Sequence, residues 1–325
     1  MRRVAPALVL FFLAPLISEF LLGDLPLTLL PALIVLAPMY GGGALLVREM
    51  VRRTGRGWPS IFVLGFVFAV FEEAFTTQTL FNPDYLHLNA HLLQPAYIAA
   101  LGIGGWWTMY VLTLHTVWSI STSIALTEAL FPERGNAPWL GWPGLIVTGL
   151  LLALGAVLMT KFTLKGDPFM ASPRQFAVAG VVCVLGAIVA FRLPRATKLG
   201  SAGHAPSPWL VGAFALCMTS VFMLVQPALG WKAVGSYLVL YGTALGVITA
   251  WSRRSGWDGR HRLALAAGAA LTYAWHSFPQ RCVVPVSQKL DLAGNVVFSL
   301  GAVLLIWMAA KRTSAGLAGT PAASD

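Results

Sequence analysis

Two adjacent carboxylates, Glu72 and Glu73, sit inside the apolar stretch Ile61 to Leu80, and a histidine, His115, sits inside the next such stretch. Ionisable groups at membrane depth are costly, and those that persist line cavities or pair with one another. A carboxylate held away from bulk water can act as general base on a water molecule. A histidine beside it can stabilise an oxyanion or shuttle the proton. Successive helical residues point about 100° apart, so one glutamate faces such a site and the other assists. Glu73 as base with Glu72 as helper, and the reverse, both fit. Rise counted from Leu80 puts Glu73 roughly 10 Å below the outer surface, and rise counted from Trp106 puts His115 roughly 13 Å below it. Consecutive helices are commonly neighbours, so a direct or water-bridged contact is expected.

Further polar groups share the outer half of the chain and are candidate binding residues: Glu19, Gln78 and His276. Ser119 and Thr122 follow His115 at i+4 and i+7, a stripe that can line a hydrated cavity or bond back to its own helix carbonyls. Glu49 and Glu128 lie at cytoplasmic ends near Arg48, Arg52, Arg53 and Arg134, where pairing or snorkelling is the simpler role. His87 and His91 have the spacing of half a zinc site, with Asp84 nearby. Asn82-Pro83 interrupts that helix, so contact with solvent or headgroups is the simpler reading. No metal and no cofactor is expected at the Glu/His pair.

The elements that must position these groups are membrane helices. The chain is 57% hydrophobic and 10% charged, with mean hydropathy +0.74, whereas soluble domains carry roughly a quarter charged residues. The fold class expected is all-α, a polytopic transmembrane bundle. A span needs about 20 mostly apolar residues. By that measure about ten spans are expected, at approximately 4–22, 28–51, 58–80, 106–130, 140–160, 174–193, 208–228, 233–252, 261–279 and 291–310. The first is read as a retained span, because no small-residue cleavage site ends it. The net charge of +10 does not point to nucleic acid. The basic residues cluster between alternate spans, including Arg52, Arg53, Arg56, Arg192, Arg195, Arg253 and Arg254, which puts both termini in the cytoplasm of a bacterial-type inner membrane. The lipid bilayer is the expected partner.

The polar stretch 194–207 reads as a linker between a six-helix half, 1–193, and a four-helix half, 208–312, with 313–325 as a disordered tail. The segment 81–105 reads as an interfacial helix or lid. Tyr40-Gly41-Gly42-Gly43 suits close backbone approach. Cys183, Cys217 and Cys282 lack paired spacing and read as packing residues.

Glu72-Glu73 on one span with His115 on the next resembles the first two motifs of the CAAX-protease and bacteriocin-processing (Abi) family. That resemblance implies an intramembrane protease in which Glu and His activate water, with a site facing the cytoplasm. The family's first motif is Glu-Glu-x-x-x-Arg, and here Thr77 holds the Arg position. The second has Phe four residues before His, and here that position is Val111. The third pairs His with Asn, and here His276 is followed at that spacing by Gln280. The expected function is hydrolysis of a membrane-embedded peptide or lipid. A secondary transporter taking a small solute at an outward carboxylate site, and an assembly protein with a Glu–His helix clamp, are the alternatives.

Overall fold

The computed structural model describes residues 4–135, 137–195 and 201–318. Ten helices run through the segments expected to span: α1 (Ala5–Leu21), α2 (Leu27–Arg53), α3 (Trp58–Thr76), α4 (Gly105–Leu130), α5 (Trp142–Gly166), α6 (Pro173–Arg192), α7 (Pro208–Leu224), α8 (Trp231–Ser252), α9 (Gly259–His276) and α10 (Gln288–Ala318). Seven of the helices are long and apolar enough to cross a membrane; α1 and α7 are apolar but shorter, and α9 is not among the seven. Two-residue strands pair Tyr97–Ile98 with Ile103–Gly104, and Ser201–His204 pairs with Arg254–Ser255.

Proline and small polar caps set many of the helix starts. Pro59, Pro143, Pro173 and Pro208 stand in the first turns of α3, α5, α6 and α7, where the missing N–H costs nothing. Ser172 and Gln175 form a capping box on α6, and Asp258 caps α9.

The bundle has an inner and an outer set. In α2, α3 and α4 the most apolar windows are 56%, 61% and 67% buried, against 22%, 11%, 11% and 22% in α5, α6, α8 and α10. The outer helices need only apolar side chains, which explains why the acids concentrate in α1 to α4. α9 packs on α7, α10, α4 and α1. Its Ala and Gly residues permit that: a Cβ at Gly268 would stand 2.6 Å from the Leu216 nitrogen. Gly41 does the same for α1 and α2, where a Cβ would fall 2.0 Å from the Phe11 carbonyl oxygen.

Three helices change winding where polar groups cluster. Leu16–Leu21 in α1, Glu72–Thr76 in α3 and Leu114–Thr122 in α4 are π-helical. Each has a local cause. Pro15 removes a donor just before the first. Hydroxyls enter the carbonyl ladder at the others: Thr76 donates to the Glu72 carbonyl at 2.6 Å, and Ser123 to the Trp118 carbonyl at 3.2 Å.

Several expectations change. α3 ends at Thr76 and not near Leu80, so Glu73 is one turn from its helix end. The segment 81–105 is not an interfacial helix. It holds one 3-10 turn, Tyr85–His87, and the short hairpin, with left-handed backbone at Leu86, His87, Asn89, His91 and Ala96. Residues 77–82 are buried and continue from the Thr76 end of α3. α10 continues as helix to Ala318, into the segment expected to be a disordered tail, whose remaining residues lie outside those described, as do 196–200 of the expected linker.

Candidate functional site

The π-helical turns of α1, α3 and α4 bring Glu19, Glu72, Glu73 and His115 together, joined by Tyr40 from α2. His115 Nε2 lies 2.8 Å from Glu73 Oε1, and its Nδ1 lies 3.2 Å from Glu72 Oε2 and 3.2 Å from Ser119 Oγ. The second oxygen of Glu73 accepts from Thr77 at 3.1 Å and from Thr79. Thr79 in turn accepts from the Trp107 indole at 3.1 Å. Glu73 is therefore fixed at both oxygens, and through it the imidazole ring. The Tyr40 ring stacks on that ring at 5.9 Å, with Phe68 edge-on at 6.4 Å.

Glu72 differs. It is 0% exposed, yet neither carboxylate oxygen accepts a hydrogen bond among the described residues. The Tyr40 hydroxyl lies near it, but that group has one proton and donates it to Glu19 at 2.5 Å. Buried oxygens without a donor are expensive, and such exceptions in native folds call for a functional explanation. Ligand atoms of Glu72, Glu73 and His115 all lie within 4.8 Å of one another.

The candidate residues divide. Glu19, Glu72, Glu73, His115 and Ser119 converge. Thr122 is buried on α4 but makes no hydrogen bond to the cluster among the described residues. The i+7 spacing assumed an α-helix, and the wider π turn turns Thr122 off the His115 face. Gln78 is also elsewhere: its side-chain oxygen accepts from the Ala171 amide at 2.8 Å, tying the strap after α3 to the loop before α6. His276 closes α9 beside Trp275, outside the cluster. His87 and His91 are not stacked on a helical face, and His87 faces Asp84 at 3.5 Å. Tyr40, Thr77, Thr79 and Trp107 were missed. A tyrosine in mid-span has to find a partner for its hydroxyl, which was the signal for Tyr40.

Two other features frame the site. At the opposite end, Arg48 is fully buried, 2.6 Å from Glu49 and 3.2 Å from Glu128, with its guanidinium 3.5 Å from the Trp139 ring centre. Glu128 also takes Arg52 at 2.7 Å. These acids pair, as their neighbours suggested, but inside the protein. Beside the α3 π turn, Phe71, Phe75 and Thr76 with Ala156, Val157, Thr160 and Lys161 line an open apolar groove of about 390 Å³. Glu72, Glu73 and His115 do not line it.

No curated protein and no solved structure matches the chain. Residues 8–312 match an uncharacterized membrane protein family, and since that match takes in nearly the whole chain, the protein belongs to it.

Proposed function

We propose that the Glu72–Glu73–His115 cluster is a hydrolytic centre acting on a membrane-embedded peptide or lipid, in a chain that crosses an inner membrane ten times with both termini in the cytoplasm. The observation that carries this reading is the division of labour between the glutamates. Glu73, held by Thr77 and Thr79, orients His115, while the Glu72 oxygens have no donor and are free to take a proton from water. The hydroxide so formed adds to a carbonyl carbon, the bond to the leaving group breaks as His115 gives that group a proton, and the proton held by Glu72 passes to His115 Nδ1 to restore both residues. The partial motif likeness to the CAAX-protease family fits Glu and His activating water without choosing between the two glutamates, and Thr77 stands where that family has Arg. The groove beside Phe71 and Phe75 lies next to the π turn that carries Glu72 and Glu73 and is the candidate approach for such a substrate.

The test compares membrane fractions from cells carrying the wild type, Glu72→Gln, Glu73→Gln or His115→Ala at equal abundance, by proteomics and lipid analysis. The same cleavage products should vanish in all three variants. Products that persist in them would refute the reading. A second reading, a closed Glu–His clamp between helices, draws on the burial of His115, 8% exposed, and of the strap after α3. Single cysteines at 72, 73, 115 and 119, labelled with an impermeant thiol reagent, separate the two. Labelling from outside supports a hydrated centre and the proposed orientation, and no labelling from either side supports the clamp.

A further inference from the structure

We infer that Arg56, Arg192 and Arg195 form a binding site for the phosphate of an anionic phospholipid headgroup, at the membrane face opposite the Glu/His cluster. The inference goes beyond the hydrolytic reading and does not depend on it. α3 runs from Trp58 to Thr76, so the connection before it, which holds Arg56, stands at the other end of that helix from Glu72 and Glu73. The chain just after α6 returns to the same place, where Arg56 and Arg195 form an isolated antiparallel bridge. Residues opposite one another in such a pair carry their side chains on one side, with Cβ atoms about 4.5–5.5 Å apart, and like charges there repel. Two arginines brought together in this way call for an anion.

The chain supplies none. Among the described residues, Arg56, Arg192 and Arg195 make no ion pair. The sequence has no Asp or Glu between Asp167 and Asp258. The acids of the inner helices at this end, Glu49 and Glu128, are engaged. Glu49 takes Arg48 at 2.6 Å and the Trp139 and Leu140 amides at 2.9 and 3.1 Å, with Arg53 at 3.7 Å. Glu128 takes Arg48 and Arg52. The end of α6 uses one cation of the three: Arg56 donates from Nη1 to the Leu193 carbonyl, with its guanidinium 5.8 Å from the Phe191 ring centre. That contact answers the negative end of the helix dipole. The Arg56 Nε–H is nevertheless buried with no acceptor among the described residues. Arg192 and Arg195 are exposed.

The surface beside the cations points to a lipid as the bearer of the anion. Val181, Val184, Leu185 and Ile188 share one face of α6 and are 49–59% exposed. α6 is long and apolar enough to cross a membrane, and an exposed apolar face on such a helix takes lipid chains. One turn beyond Ile188 the same face carries Arg192. An acyl chain lying on the stripe brings its headgroup phosphate level with Arg192, with Arg195 and Arg56 just past the helix end. The planar fork of arginine matches phosphate oxygens in pairs, and basic groups at the end of a span attract anionic lipid. A free phosphate would use the arginines and leave the stripe unused.

The experiment uses the purified full-length chain, delipidated in detergent. Native mass spectrometry counts what is bound as phosphatidylglycerol, phosphatidylcholine of the same acyl chains, or inorganic phosphate is titrated. Phosphatidylglycerol should fill one saturable site that phosphatidylcholine does not. Arg192→Gln or Arg195→Gln should weaken it about fivefold, and the double variant about 25-fold. Both residues are exposed, so these chains should keep the wild-type elution profile; Arg56 stays in place because it also caps α6. Arg195→Lys should keep most of the affinity. Arg260→Gln removes the same charge from α9, where Arg260 pairs with Asp258 at 2.9 Å, and should bind like the wild type. Equal binding of the two lipids overturns the inference, as does a folded double variant with wild-type affinity. Displacement of phosphatidylglycerol by an equal concentration of inorganic phosphate would mean an anion site alone, and overturns the lipid assignment.

Discussion

Replacing Gly41 by alanine adds a single methyl group at the crossing of α1 and α2, and its cost can be worked from distances. The new Cβ would stand 2.0 Å from the Phe11 carbonyl oxygen and 2.6 Å from its Cα and carbonyl carbon, all backbone atoms with no rotamer to give way. Restoring ordinary contact moves the helices apart by about 1.4 Å. Tyr40, the preceding residue, donates to Glu19 on α1 at 2.5 Å, and a displacement of that size takes the pair out of hydrogen-bonding range. Overpacking of this kind costs about 1–3 kcal/mol, and the lost hydrogen bond about 1 kcal/mol more. Thermal unfolding of the purified protein should fall by about 5–10 °C. The controls are Gly242→Ala and Gly246→Ala in α8, where a Cβ meets nothing within 4 Å; these should leave Tm unchanged or raise it, since alanine gains up to about 1 kcal/mol in helix propensity. A Gly41→Ala protein melting with the α8 controls would refute the argument that α1 and α2 are in backbone contact and that this contact sets the Glu19–Tyr40 geometry.

Two further outcomes concern polar groups away from the cluster. Arg48→Met leaves Glu49 buried without its closest cation, and should cost about 3–5 kcal/mol in denaturant unfolding; adding Glu49→Gln should recover part of that loss, and failure to recover any would show the pair to be uncoupled. Asp24, in the connection between α1 and α2, is pushed up from an ordinary 3.8 to about 7 by burial and by Glu19, against a hydrogen bond from Gln280. Its folded form therefore holds a proton that the unfolded chain gives up. Stability from this group is full below 3.8 and falls as pH rises to about 7, by at most about 4 kcal/mol. Asp24→Asn should then raise Tm at pH 8 and leave it unchanged at pH 4, and an equal shift at both would contradict the sign.

Much of the architecture was readable because a membrane restricts the choices. Long apolar runs interrupted by basic clusters yield helices, and two consecutive antiparallel helices bring Glu73 and His115 to one level. The low hydrophobicity of the ninth segment has its cause in the packing: alanine and glycine suit a helix enclosed on several sides, as Gly268 against Leu216 and Ala269 against the Trp118 indole demonstrate. What escaped the sequence depended on winding and on loops. A stripe drawn at 3.6 residues per turn puts Thr122 beside His115, and the π turn removes it. The strap that carries Thr77 and Thr79 looked like the end of a span. The left-handed residues of 85–96 are leucine, histidine, asparagine and alanine, none of which announces that backbone in the way glycine does.

The enclosed position of α9 has a bearing on biogenesis. Its start carries Arg260, His261 and Arg262, and its later turns are rich in alanine and glycine. Such a segment partitions poorly from an insertion channel into lipid. Among the described residues its neighbours are α7, α10, α4 and α1, and of these only α10 has yet to be made when α9 leaves the ribosome. In the ten-span arrangement α9 thus enters on a surface its predecessors have assembled, and synthesis of α10 seals it there. On that arrangement, integration of α9 is expected to depend on the neighbours it packs against, with translation through Gln288 and beyond completing its enclosure.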